Sequence, residues 1–248
     1  AFDGQSELRG NSVSNIRNGG EAITDDNNLY VVQTMTFSED ESAHYLQKIQ
    51  LSHLGSMTMK SDFIASLDAI IVNLSDNLLY LIDREENSVA KVVDLATGEV
   101  TLISDHPVSS FHFFDGKGYL SDATNNDILV VTTKDGILST STLISGGGEI
   151  IGVEQNRIYA YQEGSDHTVI VGYNRKTLRQ EFELTGATFE SAQISGSFLY
   201  FIEENMLHRK LITDDCQCDS ASVIPTKEYA LYKEYMVVAG VDKGMYLS

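Results

Sequence analysis

The chain of 248 residues has no tryptophan, two prolines and two cysteines. Its 17 lysines and arginines are outnumbered by 36 aspartates and glutamates. The formal net charge of −19 repels phosphate backbones and anionic lipid, which argues against nucleic-acid binding. Basic partners and metal ions remain electrostatically suitable. No apolar run approaches the roughly 20 residues of a membrane-spanning helix, so we expect no membrane insertion.

The scarce cysteines, Cys216 and Cys218, leave the redox compartment open. Two thiols in a surface turn, a tight local disulfide, or half of a metal site are the alternatives, and none of them establishes export. The chain starts Ala1-Phe2-Asp3 without methionine, which is typical of a mature protein after removal of a signal peptide. We therefore expect a secreted or cell-surface protein, with the periplasm as a further location.

A tyrosine preceded by an aliphatic residue or glycine recurs along the chain with a period near 40 residues. Four short strands per blade give a β-propeller such a period. The copies are Leu29-Tyr30-Val31, Leu79-Tyr80-Leu81, Gly118-Tyr119-Leu120, Ile158-Tyr159-Ala160 and Leu199-Tyr200-Phe201, with a weaker sixth copy at 235–239.

Each repeat has the same internal order of strands and turns. A first strand ends in a polar hairpin turn, the tyrosine strand follows, an acidic loop leads to a third strand, and a fourth strand closes the unit. No window shows sustained helical spacing, and the apolar runs are short and separated by turns. The pattern predicts an all-β fold in a single domain over residues 1–248.

The repeat count predicts a six-bladed β-propeller with four antiparallel strands per blade; the alternative is five blades with irregular ends. The last unit stops after the third-strand segment Met245-Tyr246-Leu247-Ser248. Residues from about Ser6 to Ile16 could supply its missing fourth strand. Closing the ring with this N-terminal strand would remove unpaired sheet edges.

The tyrosine segments resemble the Tyr-Trp-Thr-Asp repeats of low-density-lipoprotein-receptor-type propellers and related repeats of bacterial surface-protein propellers. The matching residues are Tyr80 with Asp83, Tyr119 with Asp122 and Tyr200 with Glu203; Tyr30 with Gln33 and Tyr159 with Gln162 keep the tyrosine and a polar end. The resemblance spans the chain, and no copy contains the tryptophan. It implies six blades and a binding platform rather than an enzyme.

Carboxylates concentrate in the loops after the tyrosine strands, which a propeller places on one face. The candidate binding residues are Glu39, Asp40, Glu41, Asp83, Glu85, Glu86, Asp122, Asp127, Glu163, Asp166, Glu203 and Glu204. Loops between third and fourth strands instead contain Lys134, Arg175, Lys176 and Arg179. We expect one strongly negative face that attracts a basic partner, with a merely solvated acidic surface as the alternative.

Calcium is the one cofactor with candidate ligands. Hard oxygens at alternating positions suit Ca²⁺, and Asp122, Asn125 and Asp127 provide them, as does the segment 25–28. Ordinary hairpin turns use the same residues. No other cofactor is expected.

No residue is singled out as catalytic. The sequence lacks a zinc-protease helix motif and a hydrolase nucleophile elbow, and Gly146-Gly147-Gly148 lacks the lysine of a phosphate loop. The leading hypothesis is a non-catalytic extracellular or surface module that binds a protein or basic ligand through the acidic loop face. The alternatives are a carbohydrate-active enzyme with a site in the central funnel, and a lectin.

Overall fold

The computed structural model describes residues 22–38, 41–53, 61–85, 87–134, 137–164, 167–186, 189–195, 198–203, 206–212, 220–232, 235–240 and 245–247. Across these residues the regular structure is β apart from a short 3-10 turn at Leu51–His53, and no helix is long and apolar enough to cross a membrane. The chain divides into two compact units, Asn18–Ala187 and Thr188–Ser248 with Ala1–Arg17. The single domain over 1–248 stays a prediction.

The first unit contains antiparallel strands that follow one another in chain order. They are β1 (Ala22–Thr24), β2 (Asn28–Ser38), β3 (Glu41–Gln50), β4 (Ser61–Ser66), β5 (Ala69–Ser75), β6 (Leu78–Asp83), β7 (Val89–Asp94), β8 (Val100–Phe114), β9 (Lys117–Asp122), β10 (Ile128–Lys134), β11 (Ile137–Ile144), β12 (Glu149–Val153), β13 (Arg157–Glu163), β14 (Thr168–Asn174) and β15 (Gln180–Gly186).

These strands form four-stranded meanders, as the repeat predicts. The first meander is β1–β4 and the fourth is β12–β15. Between them β5–β11 make a seven-stranded sheet, because β8 belongs to two meanders. Residues 100–102 and Pro107 pair with β7, and the part of β8 from Val108 to Phe114 pairs with β9. The second meander is therefore β5–β8 and the third is β8–β11.

The second unit repeats the same order. Its strands are β16 (Glu190–Ser195), β17 (Phe198–Glu203), β18 (Met206–Leu211), β19 (Ser220–Tyr232), β20 (Tyr235–Gly240) and β21 (Met245–Leu247). Residues 220–225 of β19 pair with β18, which completes a fifth meander, and residues 226–232 pair with β20.

The two prolines of the chain occupy equivalent points in the two long strands. Pro107 lies opposite Val89, the first residue of β7, and Pro225 lies opposite Met206, the first residue of β18. Proline has no N–H to donate and is confined within sheets to edges and irregular points. Each proline thus marks the place where a continuous strand leaves one meander and enters the next.

The five repeat tyrosines take equivalent positions, as the spacing predicts. Each is the third residue of the second strand of its meander: Tyr30 in β2, Tyr80 in β6, Tyr119 in β9, Tyr159 in β13 and Tyr200 in β17. The apolar runs around them reflect burial on both faces of the sheet.

Cores lie between successive meanders of the first unit. In β6, Leu79 and Leu81 pack with Leu46 of the first meander, whereas Tyr80 and Ile82 pack in a separate core with residues of the third meander such as Phe111. Because side chains alternate across a strand, one tyrosine strand contributes to two cores. A further core joins the third and fourth meanders through residues that include Tyr119, Ile150 and Ile158.

Candidate functional site

The loops that follow the tyrosine strands lie at one end of the meanders in the first unit. We call this the acidic end and define it by the described loop residues 83–85, 87–89, 122–128, 163–164 and 167–168 and by the joining segments 66–69, 104–108 and 144–149. Backbone hydrogen bonds tie these pieces together: Arg84 N–H to Asp68 O at 2.7 Å, Ala123 N–H to Pro107 O at 2.8 Å, and Gly148 N–H to Asn126 O at 2.8 Å.

Asp83, the last residue of β6, is buried and ion-paired. Its Oδ2 lies 2.8 Å from the Lys91 ammonium, whose side chain is also largely buried, and its Oδ1 accepts a hydrogen bond from Glu85 N–H at 2.9 Å. A buried carboxylate needs such partners to offset its lost hydration. Asp83 therefore shapes the loop at the acidic end and contributes little free negative charge.

Asp122, the equivalent residue of β9, is buried at the start of a turn that its side chain stabilises. Its Oδ1 accepts hydrogen bonds from Thr124 N–H at 2.7 Å and Asn125 N–H at 3.4 Å, and its Oδ2 accepts one from the Asn125 amide at 3.0 Å. Burial raises the pKa of this carboxyl, but the hydrogen bonds and the charge of His106 outweigh burial and leave the pKa below its ordinary value.

Asp127 holds the glycine segment between β11 and β12. Its Oδ1 accepts hydrogen bonds from Gly146 N–H at 2.8 Å and Ser145 Oγ at 3.0 Å. The Gln162 amide, at the position that Asp83 and Asp122 occupy in their strands, donates to Gly146 O at 3.1 Å. Gly146-Gly147-Gly148 is thus a joining segment between two meanders.

The calcium candidates are placed as follows. Asp122 and Asn125 bond to each other within one turn, while Asp127 faces the glycine segment. Asp25, from the second candidate segment 25–28, lies in the hairpin between β1 and β2, where Asn27, Asn28 and Tyr30 donate to it. No cluster of three or more His, Cys, Asp or Glu residues suited to a metal occurs in the part of the chain that is described. Calcium binding stays a prediction.

Exposed carboxylates are what the acidic end presents to solvent. Glu85, Asp105 and Glu163 are exposed, and Asp127 and Glu149 are half-buried. The described lysines and arginines at this end are Arg84 and Lys91. Both already form ion pairs: Lys91 pairs with Asp83, and the guanidinium of Arg84 forms a close ion pair with Asp68.

The opposite end of the first unit carries charges of both signs. The sequence analysis did not reveal the structural role of Arg175 there. Arg175 donates to Tyr119 OH at 3.0 Å and to the carbonyl oxygens of Glu154 and Gln155 at 3.1 and 2.9 Å, and its guanidinium lies 4.6 Å from the Phe114 ring centre. It joins the third meander to the fourth. Its spacing of 56 residues from Tyr119 leaves no local signal.

A buried polar network also joins these two meanders. His112 Nε2 lies 2.9 Å from Ile150 O, Ile150 N–H donates to Ser121 Oγ at 2.8 Å, and Ser110 Oγ donates to Ser121 Oγ at 3.0 Å. Because a carbonyl accepts, His112 carries its proton on Nε2 in this bond. No motif in the sequence marked His112 as different from the exposed histidines.

The remaining candidate residues are placed as follows. Glu85 and Glu163 belong to the acidic end, and Glu41 and Glu203 stand at the first residue of β3 and the last residue of β17. Glu39, Asp40, Glu86, Asp166 and Glu204 lie outside the described residues, as do Cys216, Cys218 and the segment 6–16.

Comparison with family models and with curated protein sequences finds no match. Solved structures that are similar include the following three. PorZ, described as an essential bacterial surface component of the type-IX secretion system of Porphyromonas gingivalis, has a TM-score of 0.56 at 8% identity over 93% of this chain and 33% of its own. The N-terminal domain of Nup159 has a TM-score of 0.51 at 9% identity over 91% of this chain and 74% of its own. BamB from Moraxella catarrhalis has a TM-score of 0.44 at 9% identity over 91% of this chain and 95% of its own.

This chain spans about a third of the PorZ chain. At these identities the likeness concerns the fold alone. Together with the antiparallel four-stranded meanders, it defines an all-β protein of the β-propeller type.

Proposed function

We propose that the chain is a non-catalytic module that binds a basic protein segment through its acidic end. The observation that carries the proposal is the imbalance of charge there: exposed Glu85 and Glu163 remain, whereas Arg84 and Lys91 already pair with Asp68 and Asp83, and Asp105 lies 3.7 Å from His106. Carboxylates of one sign on neighbouring loops add their fields and attract cationic ligands over about a Debye length.

The opposite end of the first unit differs from the acidic end in its balance of charge. Bases in its loops, such as Lys117, Arg157 and Lys176, alternate with carboxylates such as Asp94 and Glu99. Fields of opposite sign cancel at distances longer than their separation, so this end attracts a cationic partner less strongly. We infer that the partner approaches the acidic end.

A location outside the cytoplasm belongs to the same proposal. The fold shared with PorZ, which is described as a bacterial surface component, supports it. We propose a secreted, cell-surface or periplasmic protein.

Six blades are also proposed. Five four-stranded meanders are described, and residues 226–232 of β19 with β20 and β21 add three strands. The segment 6–16 would supply the fourth strand beside β21. Deleting residues 1–17 should then lower the midpoint of thermal unfolding and cause aggregation; a monomeric product with an unchanged midpoint would refute this closure.

The binding proposal is tested with a fluorescent hexalysine peptide as a stand-in for a basic protein segment. The variant Glu85→Gln/Glu163→Gln removes two exposed carboxylates of the acidic end. The control Asp76→Asn/Asp115→Asn removes two at the opposite end, at positions with φ of 53° and 52° that asparagine tolerates. Both variants change the net charge equally.

We expect the acidic-end variant to bind about fivefold more weakly at 20 mM salt, since exposed charge pairs contribute about 0.2–1 kcal/mol each. The control should change affinity less than about twofold. Equal weakening of both variants would show that the attraction comes from the total charge and would contradict a binding face at the acidic end.

A further inference from the structure

A second interaction surface lies on the outer edge of the second meander and reaches the acidic end only at Asp105. Large hydrophobic residues exposed among the described residues of the first unit are Phe63, Val100 and Leu102, with 62%, 40% and 49% of their surface accessible. Val100 and Leu102 stand two positions apart in β8, so they point to the same side of the sheet.

The side in question is the one that faces the first meander. Val100 lies opposite Val93 in the register, and Val93 is fully buried in the core shared with the first meander. Gly98, just before β8, lies close to β4, since a Cβ there would stand 3.6 Å from Ile64 O. Val100 and Leu102 therefore continue this core outward, beyond the residues that cover it.

The backbone of this stretch forms a sheet edge. Residues 100–102 pair with β7 on one side, whereas β9 pairs only with the later part of β8, from Val108 onward. Within the described residues no strand pairs with the other side of 100–103. Such an edge presents N–H and C=O groups at strand spacing and can accept an added strand.

The charged side chains around the edge determine which side chains an added strand should have. Glu99 and Asp105 flank the stretch and are exposed, as is Asp62 on the adjacent β4. Lys91, the base paired in register with Leu102, is bound to Asp83. We propose that residues 100–103 dock an extended peptide segment of alternating apolar and basic residues as an additional strand. The apolar side chains would cover Val100 and Leu102, and the basic ones would meet Glu99 and Asp105.

The probe is an acetylated, fluorescent heptapeptide of alternating lysine and valine, and its partner is the same peptide with every backbone amide N-methylated. Methylation keeps the charges and side chains and removes the donors that strand addition needs. The variant Leu102→Lys places a repelling charge on the exposed edge. Thr142→Lys, at an exposed position of β11 on the outer edge of the third meander, is the matched control.

We expect the unmethylated peptide to bind the wild-type chain at least about tenfold more tightly than the methylated one, and Leu102→Lys to abolish that difference while Thr142→Lys keeps it. Equal binding of the two peptides, equal loss in the two variants, or no binding to the wild type would each overturn the proposal. The Glu85→Gln/Glu163→Gln variant should retain the difference between the peptides, so this test and that of the acidic end fail independently.

Discussion

Replacing Gly148 by alanine perturbs the segment that joins the third and fourth meanders at one backbone position. Gly148 has φ of +92°, and its N–H donates to Asn126 O at 2.8 Å. A Cβ there would stand 2.4 Å from Tyr161 O and 2.8 Å from Gln162 Cγ. The first of these atoms belongs to the backbone of β13, so it moves only if the strand moves.

Two effects add in this variant. A positive φ costs an L-residue roughly 1–2 kcal/mol, and forcing an extra carbon into an occupied position typically costs a further 1–3 kcal/mol. We therefore expect Gly148→Ala to lower the free energy of unfolding by about 3 kcal/mol.

Gly146→Ala separates the two effects. Gly146 also has a positive φ, of +62°, but among the described residues no atom beyond its chain neighbours lies within 4 Å of the place where its Cβ would stand. We expect this variant to lower the free energy of unfolding by only about 1 kcal/mol, which is the cost of the positive φ alone. The comparison keeps the substitution and the segment constant and changes only the space around the new carbon.

The assay is urea unfolding followed by far-ultraviolet circular dichroism, with the denaturant slope fitted separately for each variant. A loss in Gly148→Ala at least about 1.5 kcal/mol greater than in Gly146→Ala at equal slopes would support the reasoning. Equal losses in the two variants would refute it, because the close approach of β13 would then have no energetic consequence.

Three further changes test other parts of the fold. Arg175→Lys should lower the free energy of unfolding by about 1–2 kcal/mol in urea, because the compact ammonium of lysine lacks the planar fork that spans Tyr119 OH and the two carbonyl oxygens; unchanged stability would contradict a joining role. Lys91→Met should cost about 3–5 kcal/mol by leaving Asp83 charged and buried, and Lys91→Met with Asp83→Leu should recover most of that loss. Hydrogen bonds that outweigh burial lower the pKa of Asp25 from 3.8 to about 2, so its contribution to stability is complete above pH 4 and is lost as the pH falls toward 2; Asp25→Asn should flatten that part of the pH profile.

Much of the strand order could be predicted from the sequence because its causes are local. Turn residues such as Asp76-Asn77 and Asp115-Gly116 adopt positive φ, and the alternation of side chains around each tyrosine follows from the two buried faces of the sheet. A tyrosine that recurs every 40 residues or so repeats that local environment, which is why the third position of each second strand was predictable.

The continuity of β8 and β19 was not predicted. The repeat predicts that a fourth strand closes each unit and that a separate first strand opens the next. In the structure one strand runs through both, and Pro107 marks the change of partner. The signal was available, since the chain has two prolines and both occupy this point.

The chemistry of the acidic loops was predicted only in part. Asp83 and Asp122 were expected to add to a negative face, but both are buried and hydrogen-bonded within their turns. Their partners, Lys91 and Asn125, follow within eight residues, yet only the register of β6 with β7 shows that Lys91 reaches back to Asp83. Contacts across many residues, such as Arg175 with Tyr119, depend on packing between meanders and leave no pattern in the sequence.

The rate at which a basic peptide associates with the acidic end tests the central proposal most directly. Long-range attraction acts mainly on the association rate constant and weakens with salt. For hexalysine measured by stopped flow between 20 and 200 mM salt, Glu85→Gln/Glu163→Gln should reduce both the rate constant and its dependence on salt, whereas Asp76→Asn/Asp115→Asn should leave both near the wild-type values. Identical salt dependence in the two variants would contradict a binding face at the acidic end.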